Sequence, residues 1–173
     1  MGGRKGLVLA KRVRTVGKET RRDRTIQEAR HDVYQERWKP REPTACPRCG
    51  AVFHKGRWNW GVPAAEAHRS LCPACERMQD HNPAGEVRVR GPFVRAHRDE
   101  ILGLVHNEEA RAKAEHPLSR LMRIVEDKGA VVVTTTDVHL PRRIGEALRH
   151  AYQGRLAIRY SKEQEYLRIA WVR

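Results

Sequence analysis

CPRCGAVFHKGRWNWGVP (residues 46–63) and LCPAC (residues 71–75) hold all four cysteines of a 173-residue chain. They fall into two identical spacings, Cys46-Pro-Arg-Cys49 and Cys72-Pro-Ala-Cys75, with 22 residues between them. Two residues between paired thiols let a tight turn aim both sulfurs at one ion. Two such knuckles complete the tetrahedral tetrathiolate that zinc takes in closed structural sites. Structural Zn2+ held by Cys46, Cys49, Cys72 and Cys75 is therefore the expectation. Four thiolates leave no position open for water, which argues against catalytic zinc and against an enzyme. Two other readings of the cysteines are a redox dithiol, which normally offers one such pair near a βαβ pattern, and iron in a rubredoxin-like site. Gly50 can take the positive φ that a knuckle turn often needs, while Glu76 stands at the matching place after the second pair. That asymmetry suits a zinc-ribbon or treble-clef-like module. The first knuckle leads into a strand, and the second opens a helix over PACERMQD through Pro73.

Between the knuckles, regular alternation along AVFHKGRWNW would put Phe53, Lys55, Arg57 and Asn59 on one side and His54, Trp58 and Trp60 on the other, with Gly56 able to break the register. Two readings stay open. Trp58 and Trp60 can pack against the helix after Cys75 as part of a small core. Alternatively, Lys55, Arg57 and Trp58 form a charge-plus-stacking surface for exposed bases.

Thirty-five Lys and Arg against twenty-one Asp and Glu give a formal charge of +14, a balance that favours a polyanionic partner. Half of it gathers at the start. Residues 1–22 carry Arg4, Lys5, Lys11, Arg12, Arg14, Lys18, Arg21 and Arg22 against the single acid Glu19. This stretch lacks aromatics and sustained apolar periodicity, so it reads as a disordered basic arm that orders along phosphates. Residues 23–44 balance five basic against five acidic groups and read as a short helix and linker stopped by Pro40 and Pro43. The apolar run Leu7–Ala10 is too short for a signal-peptide core or a membrane span, and Gly6 breaks the myristoylation pattern, so a cytoplasmic location without membrane attachment is expected.

The four-cysteine zinc module is placed at residues 45–84, with HNPAG as the loop that ends it. Residues 85–173 read as a small α+β domain. GEVRVRG alternates like a strand. A helix is expected from about Val94 to Glu115, with Ile101, Leu104, Val105 and Ala112 at helical steps, broken by His116-Pro117. LSRLMRIVED reads as a second short helix with Leu118, Leu121, Met122 and Val125 on one side. AVVVTTT reads as a central strand. Asp137 then caps a helix with the inward stripe Leu140, Ile144, Ala147, Leu148 and Ala151, closed by Gly154. RLAIRY and YLRIAWV form a hairpin around SKEQE, completing a β-α-β-β unit.

On that hairpin Leu156, Ile158, Tyr160, Leu167, Ile169 and Trp171 share one face, and Arg155, Arg159 and Arg168 share the other. Arginines opposed without interleaved acids are costly to keep close, so the row suggests an anionic ligand; a solvated edge guarded against aggregation is the plainer reading. Arg142 and Arg143 lie by a helix N-terminus that can receive a phosphate, although Asp137 already occupies that end. The nine histidines do not cluster at ligand spacing. No nucleophile motif, phosphate loop or convergent carboxylate pair appears.

Through CPRCGAVFHKGRWNWG, LCPAC, GPFVRAHRDEILGLVHNEEARAKAEHPLSRLM and VVVTTTDVHLPRRIGEALRHAYQG, the chain resembles a family of small, uncharacterised bacterial zinc-ribbon proteins from about Pro43 onward. More distantly, the two knuckles followed by VTTTDVHLPRRIGEALRHAYQG resemble the N-terminal half of the archaeal and eukaryotic large-subunit export adaptor, which implies ribosome binding. Taken together, the expectation is a non-enzymatic protein that binds the ribosome or structured RNA, of the hibernation or stress type. A zinc-finger regulator that binds DNA is the alternative, though no recognition helix with clustered base-reading residues is visible.

Overall fold

The computed structural model describes Tyr34, residues 40–161 and residues 165–173. The basic arm and the short helix expected before Pro40 lie outside the described residues, Tyr34 excepted. The architecture is α+β, with two sheets and four helices among the described residues.

The smaller sheet has the order β3-β2-β1-β4, built from β1 (Thr44–Ala45), β2 (Ala51–His54), β3 (Arg57–Trp60) and β4 (His68–Arg69). Helix α1 (Pro73–Gln79) follows the second knuckle, with Pro73 at its first turn. Strands β2 and β3 do not form one long alternating strand. They fold back on each other at Lys55-Gly56, whose φ angles of 51° and 76° are both left-handed, as a two-residue primed turn requires. The Glu42 carboxylate steadies this turn by accepting the Lys55 and Gly56 amides, each at 2.8 Å.

The larger sheet has the order β6-β7-β5-β9-β8. Its strands are β5 (Gly85–Arg90), β6 (Leu121–Asp127), β7 (Ala130–Thr135), β8 (Arg155–Ser161) and β9 (Tyr166–Val172). Strands β5 and β9 run parallel, and the other neighbours are antiparallel. Helix α2 (Pro92–Ala96) precedes α3 (Arg98–Glu115), so the helix expected from Val94 is two helices meeting at His97. Helix α4 (His139–Tyr152) crosses from β7 to β8, giving the β-α-β-β unit in the expected order.

The expected second helix over LSRLMRIVED is instead strand β6. Its apolar spacing imitates a helix because a bulge between Leu121 and Arg123 shifts the two-residue phase. The hairpin is then closed by Lys128-Gly129, with φ angles of 49° and 73°, before the buried run Ala130–Val133. That buried run decides the matter: β7 needs a partner on its far side, and pairing outweighs the local helical pattern.

Helices α2, α3 and α4 all pack on one side of this sheet. Val87, Val89, Val133, Leu167, Ile169 and Trp171 meet Ile101, Val105, Leu140, Ile144 and Leu148 in one core. Trp171 is fully buried and donates Nε1–H to the Gln153 carbonyl at 2.8 Å. Ala151, assigned to the inward stripe of α4, is exposed. Gly145 takes the close approach, where an added Cβ would stand 2.7 Å from Ile169 Cγ2.

Asp137 caps α4 as its position suggests: the Leu140 amide donates to Oδ1 at 3.0 Å, and the Ser119 hydroxyl donates to Oδ2 at 2.7 Å. Burial nevertheless pushes the Asp137 carboxyl above its ordinary value, outweighing these two donors. Replacement of Asp137 by alanine is expected to cost about 1–2 kcal/mol in urea denaturation. Replacement by asparagine keeps an acceptor for Leu140 and should cost less. A raised folded-state pKa stabilises at low pH and is lost as pH rises through it. The wild type should therefore weaken relative to Asp137→Asn on going from acid to neutral pH, and a constant difference would contradict this account.

Candidate metal centre and basic sheet face

The four cysteines converge. Hydrogen bonds Cys46 N–H to Ala51 O (2.8 Å) and Gly50 N–H to Cys46 O (2.9 Å) close the first knuckle, with Gly50 at a φ of +78°. The second knuckle is the start of α1, and its Cys72 amide points at Cys46 Sγ from 3.4 Å. All four Sγ atoms lie within 4.8 Å of one another, and Cys49 and Cys72 are 3.7 Å apart. A tetrahedron with metal–sulfur bonds of about 2.3 Å has edges of about 3.8 Å, so these sulfurs are spaced for one thiophilic ion and lie too far apart for disulfides.

The electrostatics agree with that fit. Burial raises the thiols of Cys72 and Cys75, and charge on the neighbouring sulfurs raises them further. Burial acts the same way on Cys49, but the Arg120 guanidinium and a backbone hydrogen bond from Ala51 outweigh it and bring the thiol down to about 7. The Cys49 sulfur thus ionises readily, while Cys72 and Cys75 resist joining it. A cation among them removes that repulsion, so the donor set can hold a metal ion.

Trp58 belongs to the core around the cysteines and faces Phe53, with ring centroids 5.5 Å apart. Trp60 is 40% exposed; its indole N–H donates to the Lys113 carbonyl at the end of α3, and its ring lies 5.7 Å from the Arg120 guanidinium carbon. Lys55 and Arg57 are exposed at the hairpin tip. Because His54 pairs with Arg57 and Phe53 with Trp58, Arg57 and Trp58 face opposite sides of the hairpin. The hairpin therefore does not offer the two as one surface.

The larger sheet brings together cations that lie far apart in sequence. On the side away from α2, α3 and α4, strand register sets up three rows running across all five strands. One row is Arg123, Thr134, Glu86, Arg168 and Arg159; the next is Val125, Val132, Arg88, Ala170 and Ala157; the third is Asp127, Ala130, Arg90, Val172 and Arg155. Six arginines share this face with two acids. Arg88 pairs with Asp127 at 2.9 Å, and Arg168 reaches Glu86 at 3.9 Å and lies over the Tyr166 ring. Arg90, Arg123, Arg155 and Arg159 are exposed and have no ion pair among the described residues. Arg159 stands directly opposite Arg168, the costly juxtaposition expected of the hairpin.

Arg142 and Arg143 do not join this face. They sit on α4, where Arg143 pairs with Glu108 at 3.5 Å and Glu115 at 3.8 Å of α3. The eight cations of the arm, from Arg4 to Arg22, lie outside the described residues. Sequence reasoning missed Arg88, Arg90 and Arg123. The alternation in GEVRVRG signals the first two, whereas Arg123 required β6 to be a strand. It also missed Arg120, for which no spacing gives a signal.

Among the described residues, no helix is long and apolar enough to cross a membrane. No protein-family model, curated protein or solved structure matches the chain.

Proposed function

We propose that this chain is a non-enzymatic, cytoplasmic RNA-binding protein held in shape by Zn2+, and that it associates with the ribosome in a hibernation or stress role. Zinc is the ion that four convergent thiolates favour in a closed tetrahedral site. The observation that carries the reading is the sheet face on which no helix packs among the described residues. Five strands spaced about 4.8 Å apart make a platform about 19 Å wide. Its middle row holds short side chains apart from Arg88, and the flanking rows hold arginines without acidic partners. Such a face suits the sugar–phosphate backbone of folded RNA, because its three rows carry cations for phosphates, while the one ring at their margin, Tyr166, is covered by Arg168. The net charge of +14 and the ribosome binding implied by the resemblance to the large-subunit export adaptor support the same partner.

Sucrose-gradient sedimentation of the tagged protein from growing and starved cells, at low and moderate salt, tests the proposal. Migration with subunits or whole ribosomes that survives moderate salt is expected. Migration only at the top of the gradient would overturn the ribosomal assignment. Tighter binding to duplex DNA than to structured RNA in direct competition would favour a DNA-binding regulator instead.

A further inference from the structure

Arg120 comes from the larger sheet's side of the molecule, immediately before β6, yet its side chain ends among the cysteines of the smaller sheet. Nη1 lies 3.5 Å from Cys75 Sγ and Nη2 4.0 Å from Cys72 Sγ. Nε donates to the Pro117 carbonyl at 2.6 Å, which aims the guanidinium fork. The backbone is pinned as well: Arg120 N–H donates to Thr136 Oγ1 at 2.9 Å, and Thr136 N–H donates to Arg120 O at 3.0 Å. The residue is 6% exposed, and among the described residues no carboxylate pairs with it. A buried guanidinium without an anion carries a desolvation cost that hydrogen bonds to carbonyls alone do not offset. Sulfur is the anion within reach. Four thiolates around a divalent ion carry a net charge of −2, and one guanidinium halves it.

We infer that Arg120 is a positioning residue of the metal centre: it neutralises half the charge of the tetrathiolate, orients Cys72 and Cys75, and makes the bound ion the joint between the two sheets. This rests on the four cysteines holding a divalent metal. Outer partners of metal ligands typically contribute 10–100-fold to affinity. The exposed ring of Trp60 and the packing of Leu118 beside the cysteines close the same joint from either side.

Co(II) titration of the full chain, followed in the sulfur-to-cobalt charge-transfer bands against a competing chelator, tests the inference with Arg120→Met and Arg120→Lys. Arg120→Met should weaken binding 10–100-fold. It should also move the bands to lower energy, because thiolates deprived of N–H donors hold their electrons less tightly. Arg120→Lys, which keeps the charge but not the fork, should fall between. Wild-type affinity and unshifted bands in Arg120→Met would overturn the inference and leave the metal site standing. If the wild type binds no Co(II), both readings fall. Should Arg120→Met not fold, arginine-selective NMR of the wild type decides: the Arg120 guanidinium signal must shift and exchange more slowly on metal loading, and an indifferent signal overturns the inference.

Discussion

Cys72→Ser is expected to abolish metal binding at the four-cysteine cluster and to unfold residues 44–80, while the five-stranded sheet stays folded. The smaller sheet has little else to hold it. The buried cluster around the cysteines consists of Cys46, Ala51, Cys72, Ala74 and Cys75, so the ligands are themselves most of that core. Strands β1 and β4 are two residues each, too short to sustain a sheet. Structural zinc in such modules contributes apparent binding energies of about 10–16 kcal/mol at neutral pH, and folding draws on that energy. The larger sheet has its own core, from Val87 to Trp171, with no cysteine in it. The check is an amide NMR spectrum with metal analysis of the same sample. Resonances of β1 to β4 should collapse to unfolded positions while those of β5 to β9 keep their dispersion. A well-dispersed smaller sheet without metal would show that packing alone holds it.

The second large effect is expected on the RNA binding proposed above. Replacing Arg90, Arg123, Arg155 and Arg159 together with alanine should weaken binding to structured RNA by on the order of 10³-fold, at about 1 kcal/mol for each phosphate deprived of its arginine. It should also reduce the slope of log affinity against log salt by about three to four. Alanine at exposed strand positions outside the core typically changes stability by less than about 0.5 kcal/mol each, and the metal content should not change. Deleting residues 1–22 takes away a different set of cations and should weaken binding, and lower the slope, further than the quadruple variant alone. Unchanged affinity and slope in the quadruple variant would remove the sheet face from the binding surface.

The two cysteine pairs were legible because metal geometry constrains their spacing directly. The run of valines in β7 and the capping Asp137 were legible because burial and capping leave local marks. Both Lys-Gly turns were not. The usual sign of a two-residue primed turn is asparagine or aspartate before glycine. Here lysine takes the left-handed position, at one of the two turns with Glu42 bonded across it. Missing Lys128-Gly129 turned β6 into a helix, and with that error went the row containing Arg123. Arg120 was out of reach for a different reason: its partners lie 45 and 48 positions away and meet it only when two sheets dock.

The parallel pairing of β5 with β9 bears on the order in which the chain acquires its shape. Hairpins β2–β3, β6–β7 and β8–β9 each close over a few residues, on the microsecond scale of local events. The central strand β5 must wait for a neighbour some 80 positions further on, as the span from Glu86 to Tyr166 shows. During synthesis the knuckles can capture metal while half the chain is still to be made, but the larger sheet stays open along β5 until β9 has emerged. Until then β5 exposes an unpaired edge that carries Arg88 and Arg90, whose charge opposes pairing with another nascent copy.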